Sequence, residues 1–202
     1  DAELMKAFQE SLPFQLTGSQ KISLYQILKD CEKPQPMLRL LQGDVGSGKT
    51  VVAAMAMLPF LKAGYQCVIM SPTEILAKQH FSTLRKFLSE YSSALLIGSV
   101  NEKEKSELQL QISAGKVQLI IGTHALIQEA VTFPKLAFAV IDEQHRFGVE
   151  QRAELVKKST RHVPHLLMMS ATPIPRTLAL TIYGDQELSI INEMPPGRKP
   201  II

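Results

Sequence analysis

MLRLLQGDVGSGKTVVAAMAMLPFLKAG (37–64) joins a short apolar run to a long one through a cluster of glycines. The order fits a strand, a tight loop and a helix. The loop, GDVGSGKT (43–50), meets the spacing G-x-x-x-x-G-K-[ST] at every fixed position, and it stands where that motif needs to stand, after a strand and before a helix. Gly43, Gly46 and Gly48 allow backbone conformations closed to bulkier residues. With Asp44, Val45 and Ser47 between them, the chain can wrap its N–H groups around phosphate oxygens. The positive end of the following helix favours the same anion. Lys49 is placed to reach the outer phosphates of a nucleotide, and the Thr50 hydroxyl to ligate magnesium. The bland alternative is a glycine-rich turn with a solvated lysine, which would require the whole pattern to fall by chance on a strand-to-helix junction.

Outward from this loop the same alternation continues. QCVIM, ALLIG, VQLIIG, LAFAVID and HLLMMS are each followed by an amphipathic stretch, and ELSII (187–191) makes about seven strands in all. Short apolar runs alternating with helices predict an α/β fold, a parallel sheet with helices on both faces. Ser71-Pro72-Thr73-Glu74 has the spacing of a capping box with proline at the first helical position, and Asn101 to Glu104 repeats it. Gly64 and Gly115 mark helix stops, and THALIQEA predicts a further helix. Ahead of the sheet, residues 16–32 predict a helix, and residues 1–12 place Leu4, Phe8 and Leu12 on one face of another. With no earlier element to pack on, that first helix (1–15) is expected to be a linker from an absent upstream domain. Residues 192–202, NEMPPGRKPII, have the composition of a second linker.

Composition narrows the classes. At 202 residues and 45% hydrophobic, the chain is long enough for one ordinary core. A net charge of +3 is too small to announce a nucleic-acid binder, so any such contact must come from a local site. Cys31 and Cys67 stand in no CxxC or Cys/His cluster, which points to thiols in a reducing cytoplasm. No 18-residue apolar stretch or signal-peptide pattern occurs, so no membrane partner is expected.

A phosphate loop needs a second site that holds the metal and positions water, and AVIDEQHRFG (139–148) ends an apolar strand in two carboxylates. Asp142 can hold magnesium through its coordinated water, and Glu143 can orient and deprotonate the attacking water. Without a cation the pair would repel. In isolation such a pair is often a solvated strand end; beside GDVGSGKT it reads as chemistry. Gln144 and His145 follow, and His145 is placed to report the nucleotide state to a neighbouring strand.

The chain resembles the superfamily 2 helicases. GDVGSGKT matches motif I, SPTEILAKQH (71–80) motif Ia, IGTHALIQ (121–128) motif Ib, DEQH (142–145) motif II and SATPIPRT (170–177) motif III. Within that group LPFQLTGSQ (12–20), PTEILAKQH, GTHALIQ, DEQHRFGVEQR and MSATPIPRTLAL are most similar to the bacterial branched-DNA helicases. The translocase of transcription-repair coupling shares the motif I and motif III patterns but usually carries DEEH or DEEQ in motif II.

The resemblance implies a P-loop, RecA-like domain spanning residues 16–191, using ATP and Mg2+ to move on branched double-stranded DNA in recombination and repair, in a monomeric protein. It implies that Gln20 reads the adenine edge with Phe14 stacked nearby. Ser170 and Thr172 would couple hydrolysis to DNA movement, with Gln144 and His145 on the same path. Thr73, Thr123 and His124 sit at helix starts where free N–H groups can hold a DNA phosphate, although ordinary capping explains Thr73 equally well. Arg146, Arg152 and Arg176 are open to phosphate contacts or to ion pairs. A second RecA-like domain, carrying the arginine finger, and an upstream wedge domain are expected partners outside this chain. Two other classes compete: a nucleotide-switched binding scaffold and a small-molecule phosphotransferase. The phosphotransferase leaves Gln20, Gln144-His145 and the SAT segment unexplained together.

Overall fold

The computed structural model describes residues 2–143, 149–172 and 187–195. In chain order the elements are α1 (Ala2–Ser11), α2 (Gly18–Cys31), β1 (Leu38–Gly43), α3 (Lys49–Lys62), β2 (Gln66–Met70), α4 (Glu74–Phe87), β3 (Ser93–Leu96), α5 (Glu102–Ser113), β4 (Leu119–Gly122), β5 (Leu136–Ile141), α6 (Val149–Lys157), β6 (His165–Ser170) and β7 (Glu187–Ile191). The strands form one sheet in the order β3-β4-β2-β5-β6-β1-β7. Every described pairing is parallel. All strands therefore end on the same edge, and the loops that follow them gather there.

Side-chain alternation divides the core into two layers. Leu41, Cys67, Ile69, Leu119, Ile121, Phe138, Val140, Leu167 and Met169 face α1 to α4. Their neighbours Leu40, Val68, Met70, Ile120, Ala139, Ile141, Leu166 and Met168 face the other side, with Ile112 of α5 and Leu155 of α6. Helix α3 is buried from Val51 to Leu58, which explains why VVAAMAML carries no polar face. Each such large side chain, withdrawn from water, contributes about 1.5–3 kcal/mol.

The α/β class, the seven strands and the helix stops at Gly64 and Gly115 are as expected. Four details differ. Thr73 is the N-cap of α4, its hydroxyl accepting from Leu76 N–H at 3.3 Å, so Pro72 precedes the cap and Ser71 is buried. Glu74 does not complete a capping box; its carboxylate accepts from the backbone N–H and the hydroxyl of Ser99. THALIQEA forms only a 3-10 turn, His124–Ile127, because Gly122 is pressed against the Leu96 carbonyl and Ala125 and Leu126 turn at once into the core. Helix α1 packs on the domain's own core: Phe8 and Leu12 are buried, and the Phe8 ring meets Phe87 edge-on at 6.4 Å.

Candidate nucleotide and metal site

The P-loop joins β1 to α3. Gly46 and Gly48 take φ of 78° and 88°, in the left-handed region that costs a side chain roughly 1–2 kcal/mol. Gly48 is constrained twice, because a Cβ there would strike the Gln20 side-chain amide. The turn is held by Ser47 N–H to the Asp44 carbonyl at 3.0 Å, and by Val51 and Val52 N–H to the Gly48 carbonyl at 3.1 and 3.2 Å. Gly48 caps α3 without any side-chain hydrogen bond, so the start of the helix remains open to a ligand. The Ser47 hydroxyl is buried in this loop with no hydrogen-bond partner among the described residues.

Lys49 lies folded back on the loop, its Nζ donating to the Gly43 carbonyl at 2.6 Å and to that of Asp44 at 3.1 Å. Burial lowers its pKa, and the carboxylates of Asp142, Glu143 and Asp44 oppose that shift. One ammonium thus stands among three carboxylates.

Asp142 and Glu143 leave the end of β5, where Asp142 N–H donates to the Met70 carbonyl at 2.9 Å. Asp142 is buried. Its Oδ1 accepts from Glu143 N–H at 3.0 Å, and its Oδ2 lies 2.6 Å from His80 Nε2. Glu143 has a φ of 51°, the one positive value outside glycine among the described residues. A non-glycine residue held there stores local strain, a common feature of functional loops. One cleft of about 390 Å3 is lined by Gly46, Lys49, Thr50, His80, Asp142 and Glu143, among others.

These residues fit a magnesium nucleotide. No group of three or more His, Cys, Asp or Glu side chains forms a metal cage among the described residues. Magnesium is commonly held by one or two protein oxygens together with substrate phosphates and water, and Thr50 and Asp142 line the same cleft as the phosphate loop. A divalent cation would also offset the surplus of carboxylates around Lys49.

The other expected residues fall around this cleft unevenly. Gln20 is buried against the loop. Its Nε2 donates to the Ser47 carbonyl at 2.7 Å, and its Oε1 accepts from Thr17 N–H at 2.9 Å, completing a capping box at the start of α2. Phe14 is 38% exposed, lies edge-on to Phe87 and lines a neighbouring cleft with Lys21. Ser170, at the end of β6, pairs its hydroxyl with that of Thr172 at 2.9 Å. The Thr123 hydroxyl is buried without a partner among the described residues, whereas His124 is exposed. Gln144, His145, Arg146 and Arg176 lie outside the described residues.

His80 was not singled out from the sequence. The signal was present: Ala77, His80 and Leu84 repeat at the spacing of one helix face, and all three are buried. A polar side chain on such a face needs a buried partner.

A parallel sheet with a P-loop after one strand and an acidic pair after another defines a P-loop nucleotide-binding domain. A family profile described as DEAD/DEAH box helicase matches residues 17–181, and the chain belongs to that family. It is 53% identical over 201 residues to the ATP-dependent DNA helicase RecG of Synechocystis, covering 98% of this chain and 24% of that protein. It is 54% identical over 200 residues to the RecG of Streptococcus pneumoniae, covering 99% and 30%. The chain thus spans less than a third of the curated relatives it matches. A solved structure of RecG bound to a three-way DNA junction superimposes with a TM-score of 0.84 at 45% identity, covering all of this chain and 27% of that one. A hypothetical ATP-dependent RNA helicase from Sulfolobus tokodaii, at 17% identity and a TM-score of 0.67 over 94% of this chain and 57% of its own, shares the fold alone.

Proposed function

We propose that this chain is the ATP-binding half of a DNA helicase or translocase motor that works on branched DNA, as its RecG relatives' names and the junction complex indicate for those proteins. The observation that carries the reading is the single cleft in which Lys49, Thr50, Asp142 and Glu143 meet. In this reading residues 16–191 form the first RecA-like motor domain. Residues 1–15 lead in from an upstream wedge domain, and 192–202 lead toward a second RecA-like domain that supplies an arginine finger. The protein acts in the cytoplasm as a monomer.

The chain's own residues then have separable tasks. The P-loop backbone cradles the phosphates, and Lys49 leaves the Gly43 and Asp44 carbonyls to meet their outer oxygens. Thr50 and Asp142 hold Mg2+, which when bound neutralises charge on the phosphates. Glu143 orients the attacking water and takes its proton. Gln20 ties α2 to the loop and so brings the Phe14 segment beside the base. Thr73 and His124 face DNA phosphates and fix the strand without reading sequence. Ser170 and Thr172, with Gln144 and His145, pass the nucleotide state onward.

The test uses the full-length protein that contains this chain, with ATP turnover measured with and without a forked duplex. Forked DNA should raise turnover several-fold. Glu143→Gln should lower turnover by about 100-fold or more while leaving ATP affinity within about threefold, a shift below 1 kcal/mol. Wild-type turnover indifferent to DNA would overturn the motor reading and favour a nucleotide-switched scaffold.

A further inference from the structure

Helix α4 forms one wall of the nucleotide cleft through Leu76, Gln79, His80 and Thr83. His80 is its deepest polar residue at 8% exposure, and it meets a carboxylate that is 6% exposed. A carboxylate accepts only, so the 2.6 Å contact requires Nε2 of His80 to carry the hydrogen and donate to Asp142 Oδ2. The second oxygen, Oδ1, accepts from Glu143 N–H at 3.0 Å. The carboxylate is therefore clamped from two directions, one local and one from a separate helix. An ionised carboxylate offers about four acceptor positions, so two remain for a metal-bound water. Without His80, only the adjacent backbone would hold the group, and its χ1 and χ2 torsions would be free to turn.

We propose that His80 is a positioning residue for hydrolysis: by donating from α4 to Asp142 it fixes the one carboxylate orientation that serves the magnesium site. This rests on the reading of Asp142 as the metal-site carboxylate. Nothing in the phosphate loop performs the same task, because Lys49 is engaged with the Gly43 and Asp44 carbonyls. Hydrogen-bond partners that orient metal-site ligands typically change metal affinity or activity by about 10–100-fold when removed.

The experiment uses the full-length protein and two readouts: binding of a fluorescent ATP analogue across a Mg2+ titration, and steady-state turnover. His80→Ala should raise the half-saturating Mg2+ for nucleotide binding about tenfold, and lower kcat by about 10–100-fold, with KM for ATP within about threefold. Nucleotide binding in EDTA should be unchanged. His80→Gln keeps an N–H donor at the ε position and should return both readouts to within about threefold of wild type, whereas His80→Asn, too short to reach, should not. Because His80→Ala could lose its fold, the Gln and Asn pair carries the test independently. Equal behaviour of Gln and Asn, or wild-type Mg2+ dependence in a folded His80→Ala, would overturn the proposal. Asp142→Ala separates the two readings. If it abolishes Mg2+-dependent binding while His80→Ala does not, only the His80 inference falls; if it leaves that binding intact, the metal-site assignment falls and the inference with it.

Discussion

The two ends of the sheet are built on opposite terms. At the end where the strands begin, Arg39 of β1 donates to Asp30 of α2 through Nε at 2.7 Å, with NH2 at 2.6 Å from the same carboxylate oxygen. Its NH1 donates to Ser189 of β7, which donates in turn to Gln26 of α2. Lys33 reaches the other Asp30 oxygen at 2.6 Å. Burial alone would push the Asp30 pKa up, but the Lys33 and Arg39 hydrogen bonds outweigh it and hold the group below its ordinary 3.8. At the end where the strands finish, the hydroxyls of Ser47, Ser71 and Thr123 are buried without partners among the described residues, and Glu143 sits at positive φ. One edge satisfies its polar groups and locks β1, β7 and α2 together. The other holds open hydrogen-bonding capacity and strain, as a site awaiting a ligand does.

The contrast is sharpest in mutants that should fail in different ways. Arg39→Leu strands a buried carboxylate and should cost about 3–5 kcal/mol of stability, read by denaturant unfolding, with nucleotide affinity unchanged where the protein remains folded. The sign of the pH effect follows from the depressed pKa. Asp30's contribution is complete above its ordinary 3.8 and is lost as pH falls through its lower folded value. Wild type should therefore lose stability on acidification through that window, and Arg39→Leu should lose less there. Lys49→Ala should do the reverse, leaving the melting temperature of the nucleotide-free protein nearly unchanged while weakening ATP binding by roughly 30–100-fold, the worth of one charge-assisted hydrogen bond.

Smaller changes probe the strand-end loops. Thr73→Ala removes an N-cap and should destabilise by about 1 kcal/mol, whatever its effect on DNA affinity. Thr123→Val replaces a buried hydroxyl with a methyl of similar shape, and unfolding should show a change of about 1 kcal/mol or less, neutral or stabilising. A loss larger than that would mean the hydroxyl has a partner, and the contrast between the edges would be weaker than drawn here.

How much of this could be read from sequence follows the same division. The strands QCVIM, HLLMMS and ELSII appear with the expected bounds because buried parallel strands are short continuous apolar runs between breakers. The P-loop was readable because its chemistry demands fixed residues at fixed spacing. Local capping was less so: Thr17 with Gln20 forms the reciprocal capping box, while Ser71 with Glu74, which has the spacing, does not. The difference lies in tertiary competition, since Ser99 takes the Glu74 carboxylate. THALIQEA failed as a helix for a related reason, Ala125 and Leu126 being drawn into the core. The Asp30–Arg39 and His80–Asp142 pairs were invisible because spans of 9 and 62 residues separate partners that only the sheet brings together.

The most direct test of this division is a set of melting curves for the full-length protein with and without saturating Mg-ATP. Binding to the native state raises the melting temperature by mass action. The account predicts the same upward shift in wild type and Arg39→Leu, despite the lower starting point of the latter, and little or no shift in Lys49→Ala. A Lys49→Ala protein that gained as much from Mg-ATP as wild type does would contradict it.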